Sequence, residues 1–180
     1  PRRSIVFLAT TAEERGLLGA EAYVRNPLVP LRRTAAVLNL DVLNVRGATR
    51  DISALGADRS TLGAAFAAAA RAEGLVVVSE PDVRGSFFRS DHFPFARAGV
   101  PALSFESGLD FVGRPPGWGR VEDSLWNANR YHQPTDEYSP AFDLVGMAQQ
   151  VRVAVRVALE VANARALPRW LPGSEFQRPR

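Results

Sequence analysis

The sequence predicts an α/β fold, with a largely parallel sheet and helices on both of its faces. Two observations carry this. Short apolar runs of strand length alternate with longer segments of helical character, the order that builds parallel crossovers. The 180 residues are 46% apolar and 23% charged, which is the make-up of one folded domain and excludes disorder over most of the chain.

The elements follow in order. Residues 4–10 (SIVFLAT) form an apolar, β-rich run that fits a strand buried on both faces. A helix is expected over residues 16–25, with Leu17, Leu18 and Ala22 on one side, ended by Pro27 and Pro30. Residues 34–40 (TAAVLNL) read as a second buried strand ending at Asp41. Residues 51–55 read as a third, an edge strand because it is short and starts polar. Ser60 suits an N-cap for the alanine-rich helix that Gly74 closes at Glu73. Residues 75–79 make a fourth strand, residues 92–97 a short helix and residues 101–106 (PALSFE) a fifth strand. Residues 107–135 show no periodicity and read as a long loop walled by Phe111, Trp118 and Trp126. Ser139 and Pro140 are suited to start a last helix that runs to Arg165, and residues 166–180 read as a loose tail.

Composition narrows the function classes. The longest alanine-rich run, residues 62–70, is far short of the ~20 apolar residues of a membrane span. With no cysteine, disulfides and thiolate metal sites are excluded. A metal must therefore be held by carboxylates and by the two histidines, His92 and His132. All basic residues are arginine, yet they are scattered rather than gathered on a stripe, so no nucleic-acid partner is expected.

Ligands of such sheets collect beyond the carboxyl ends of the strands. Glu13-Glu14, Asp41 and Glu106 all fall at such ends. Glu13 and Glu14 suit a metal ligand beside a proton acceptor, or two solvated acids at a helix start. Asp41 suits a metal ligand, a cap or an arginine partner. His132 suits a nitrogen ligand or an ordinary turn residue, with the Tyr131 hydroxyl beside it and Asp136 placed to orient the ring. His92, next to Ser90 and Asp91, suits a pocket wall or a helix start.

In order, the segments VFLATTAEERGLLGA, AVLNLDV, FFRSDHFPFARAGVPAL and NRYHQPTDEY resemble the M28 family of zinc peptidases. The stretch GLDFVGRPPGWGR is similar to a loop of its bacterial secreted members. The resemblance implies a three-layer αβα sandwich with a mixed, largely parallel sheet, and a zinc-dependent aminopeptidase acting on peptide or protein N-termini. It implies two Zn2+ per complete active site. Glu13 matches the general base, Glu14 and His132 ligands of one zinc, and Asp41 a ligand of the other. Tyr131 matches the residue that assists the oxyanion, and Arg89 lies in a segment resembling the substrate wall. His92 matches no ligand. A secreted or periplasmic location is implied in the same way. The family's first histidine ligand and its bridging aspartate belong to an upstream motif. Residues 1–165 are therefore expected to be the C-terminal part of a peptidase domain. Two alternatives are a glutaminyl-cyclase-like acyltransferase, disfavoured because Tyr131 stands where a tryptophan is expected, and a non-catalytic interaction domain on the same fold.

Overall fold

The computed structural model describes residues 1–79, 82 and 84–177. Four strands, β1 (Val37–Asn39), β2 (Asp51–Leu55), β3 (Val76–Val77) and β4 (Ala102–Ser107), form one mixed sheet in the order β1-β4-β2-β3. The β1–β4 and β2–β3 pairs are parallel, and the central β2–β4 pair is antiparallel. Five α-helices cover the sheet: α1 (Leu18–Arg25), α2 (Leu62–Ala72), α3 (His92–Arg97), α4 (Trp118–Asn129) and α5 (Val145–Asn163). The expected α/β sandwich with a mixed sheet is the fold observed.

Side-chain alternation along β4 divides the core. Leu103 and Phe105 point to the face covered by α2 and α5, and Ala102 points to the other. On the first face Phe66 meets Phe105 edge-on at 5.8 Å. Gln150, Val153, Ala154, Val157 and Val161 repeat at helical spacing and bury one stripe of α5. On the second face Ala20 of α1 packs with Phe95 and Val100, joined by Tyr23 and Val24. That is a different side of α1 from the one expected, and Leu18 is exposed.

Several expectations are overturned. Residues 4–10 form no ladder among the described residues, and Val6 and Phe7 are 58% and 95% exposed. An apolar run supplies propensity, but a strand exists only where a neighbour takes its backbone groups. The segment is anchored at its two ends. Before it, the Arg3 backbone N–H and guanidinium donate to the carbonyls of Ala162, Val161 and Ala164 at the end of α5. At its far end the Thr10 hydroxyl donates to the Asp91 carboxylate.

β2 is central, not an edge. Its polar start is explained by the Asp51 carboxylate, which accepts the backbone N–H groups of Leu109 and Asp110. The stretch 107–135 is not all loop, because it contains α4. That helix sets Trp118, Val121, Leu125 and Trp126 at helical spacing but fully buries only Gly119, where a Cβ would lie 2.2 Å from the Leu109 carbonyl oxygen. α5 begins at Val145, not near Ser139; its N-cap is Leu144, with no side-chain cap, and the Val145 N–H is accepted by the Asp143 carboxylate just ahead of it. Finally, the tail is docked through Gln177. Trp170 and Phe176 are buried against Phe87, and Ser60 bridges to Trp170. Residues 178–180 lie outside the described residues.

Candidate active site

The chain carries Glu13 and Glu14 in a single 3-10 turn, Glu13–Arg15, between residues 4–10 and α1. Its entry and exit are strained. Ala12 has φ 56°, Gly16 φ 97° and Leu17 φ 60°. The third non-glycine residue at positive φ among those described is His132, at 58°. A non-glycine residue held there costs about 1–3 kcal/mol, and such strain concentrates at functional sites. Here all three positions bracket or carry the candidate residues.

The two segments meet. His132 Nε2 lies 2.8 Å from Glu14 Oε1, although 118 positions separate them, and both side chains remain solvent-accessible. The Tyr131 and His132 rings stack at 3.8 Å. A cleft of about 380 Å³ is lined by Glu13, Glu14, Tyr131, His132, Arg89 and Phe88. Five of the six residues singled out in the sequence therefore share one cavity wall. Asp41 stands behind it, where its Oδ2 accepts a 2.6 Å hydrogen bond from the Ser90 hydroxyl. Ser90 is held in turn by Asn39, which also donates to Ser104. This chain of polar contacts runs from Asn39 at the end of β1 and Ser104 within β4 to Asp41 and orients its carboxylate. No hydrogen bond or ion pair joins Asp136 to His132 among the described residues. The imidazole is oriented by Glu14 instead.

Electrostatics distinguishes the two glutamates. Burial pushes the Glu13 carboxyl above its ordinary pKa, and the negative charges of Asp41, Glu14 and Asp91 push it further, against the opposing pull of His132. A carboxylate surrounded by others is a better proton acceptor. Burial also raises Tyr131, and Glu14 adds to this while Arg89 opposes it, so its hydroxyl stays a donor. His92 is fully buried against the Phe87 ring at 4.7 Å, and neither ring nitrogen has a well-directed hydrogen bond. Burial drives its pKa down to about 4, so it is a neutral packing residue near neutral pH.

Residues 1–156 match the sequence model of peptidase family M28. The chain belongs to that family. This M28 chain is accordingly a peptidase by family, and peptides are its substrate class. No helix among its described residues is long and apolar enough to cross a membrane.

Zinc is the metal generally used in the M28 family, and the donors present fit it in kind. Two ligands at about 2.0–2.2 Å from a tetrahedral zinc stand about 3.3–3.6 Å apart, so the 2.8 Å Glu14–His132 contact is a direct pairing that must open by about half an ångström or more to admit the ion. They do not fit it in number. Among the described residues no group of three or more histidine, aspartate or glutamate side chains converges on one point.

Glu106, at the end of β4, is a residue whose weight the sequence underplays. Burial, reinforced by Asp41, Asp123 and Asp82, raises its pKa from 4.5 to about 7. The folded state then holds this proton where the unfolded chain has released it, so stability falls as pH rises from about 4.5 to about 7. The cost of ionising it is on the order of 3 kcal/mol, at about 1.36 kcal/mol per pKa unit. Glu106→Gln should therefore raise the urea midpoint at pH 8 and leave it nearly unchanged at pH 4.5. Equal shifts at both values would remove titration of Glu106 as the cause.

Proposed function

We propose that this M28 chain carries the base, the oxyanion donor and half of the metal shell of a dizinc aminopeptidase. The observation that carries the reading is the meeting of Glu14 and His132 across strained backbone on both sides. Glu14 and His132 would hold one zinc and Asp41 the other, with the remaining donors supplied from outside these residues. Zinc held there would supply Lewis-acid chemistry and a more acidic water.

The chain's own groups do the rest. Glu13 takes the proton of the attacking water and returns it to the leaving amine, as general base and then general acid. Tyr131 donates its hydroxyl to the oxyanion. Arg89, with no carboxylate within ion-pair distance among the described residues, suits a substrate oxygen, while free carboxylates suit the substrate's α-amine. Pairing of that amine is what restricts cleavage to the first residue. In a chain completed with its missing ligands, an aminoacyl p-nitroanilide should be hydrolysed and its N-acetylated counterpart should not. Equal cleavage of both would overturn the exopeptidase reading.

The 180 residues alone offer three proposed protein ligands for two ions, whereas a stable catalytic zinc usually has about three of its own. Calorimetric titration of this chain should show at most one weakly bound zinc, abolished by His132→Ala. Two tight sites, or binding indifferent to that substitution, would sink the ligand assignment.

A further inference from the structure

A second cleft, of about 330 Å³, lies between α4 and the residues that lead into β2 and α5. It takes no part in the chemistry above. Each of the three arginines in its wall lies near an aromatic ring, Trp118 and Trp126 in the wall and Phe111 next to it. The Arg114 guanidinium is 4.6 Å from the centre of Trp118, Arg46 is 5.8 Å from Phe111, and Arg130 is 5.8 Å from Trp126. Trp118 in turn sits edge-on to Phe111 at 5.0 Å, which fixes two of the three platforms against each other.

A guanidinium held near a ring in this way can still turn its N–H groups toward a carboxylate, which it receives through two parallel hydrogen bonds. Those donors are under-used. Neither Arg114 nor Arg130 has a carboxylate within 4.0 Å among the described residues, and Arg130 spends one N–H on the Thr135 carbonyl at 3.4 Å. Arg46 meets Asp123 only at 3.5 Å, and its Nη1 is buried without a hydrogen-bond partner.

Charge selects the ligand further. Asp143 also lines the cleft and Asp123 lies 3.5 Å from Arg46, so counting both against the three arginines leaves one net positive charge. A monoanion is matched, and a phosphate dianion is not. The indole rings between the arginines provide apolar surface for whatever carries that anion.

We propose that this cleft binds a carboxylate borne on an apolar or aromatic group. The inference stands independently of the peptidase reading, because it concerns binding at residues that reading does not use. Such a carboxylate has two sources, a free small acid or the C-terminus of a peptide chain.

The test is direct titration of the 180-residue chain with N-acetyl-L-phenylalanine and with its amide, followed by calorimetry and by the fluorescence of Trp118 and Trp126. The acid is expected to bind at least about tenfold more tightly, since hydrogen bonds to charged groups are the stronger ones. Arg114→Gln and Arg130→Gln should each weaken it about tenfold with an unchanged melting curve. An octapeptide ending in phenylalanine, as acid and as amide, separates the sources. Preference for the peptide acid points to chain termini, and binding of the small acid alone points to a free metabolite. Equal binding of acid and amide would overturn the proposal without any variant being needed. So would tighter binding of inorganic phosphate, or a well-folded Arg114→Gln/Arg130→Gln double variant that keeps full affinity.

Discussion

Glu13→Gln should lower kcat by about 10²- to 10⁴-fold while bound zinc stays constant, in a chain that carries the full metal shell. The substitution keeps the shape of the side chain and removes its basicity. The expectation rests on the different surroundings of the two adjacent glutamates. Glu14 is engaged with His132, whereas Glu13 is crowded by the carboxylates of Asp41, Glu14 and Asp91 and has a raised pKa. A group assigned to proton transfer and not to ligation can be lost without losing the ion. Elemental analysis beside steady-state kinetics decides the matter, because zinc that disappears together with activity would exchange the roles of Glu13 and Glu14.

Tyr131→Phe should reduce kcat by about 10²- to 10³-fold, the usual loss for one oxyanion donor. KM should change little, because the hydroxyl acts on charge that develops only in the transition state. The ring itself remains, so its stacking on His132 and the shape of the cleft are preserved. Unchanged kinetics would reduce Tyr131 to a packing partner of the imidazole.

Which parts were legible in the residues follows from what each part depends on. Helix α3 and the strand residues 51–55 were readable because local signals set them, and both appear with the expected bounds. The central position of β2 was not readable, because it depends on β4, about fifty residues away, arriving antiparallel beside it. Residues 4–10 carried the clearest strand signal of all and yet pair with nothing among the described residues, since pairing is a property of two segments. α4 was hidden for a different reason. Its apolar positions Trp118, Val121 and Leu125 do recur at helical spacing, but Gly113, Pro115, Pro116 and Gly117 just before them read as loop, and Val121 and Leu125 stay half in solvent.

At the site, the acids at strand ends were visible as residue types. The strained backbone at Ala12, Leu17 and His132 was not, because none is a glycine or an asparagine that would announce positive φ. Glu106 was noticed as a strand-end acid, but its burial beside three other carboxylates exists only in three dimensions.

The docked C-terminal segment changes where this unit of structure stops. The family pattern matches through residue 156, yet Trp170 and Phe176 close an aromatic cluster that includes Phe87, Phe88 and Phe93. Phe88 and Phe93 also line the cleft that holds Glu13 and Arg89. Arg59 lies over the rings of Phe87, Phe88 and Phe176 at once and ties β2's outgoing turn into the same stack. The segment beyond the family match thus behaves as a keystone. A boundary drawn at the end of sequence similarity would cut through the cluster and leave one wall of the candidate cleft without its backing.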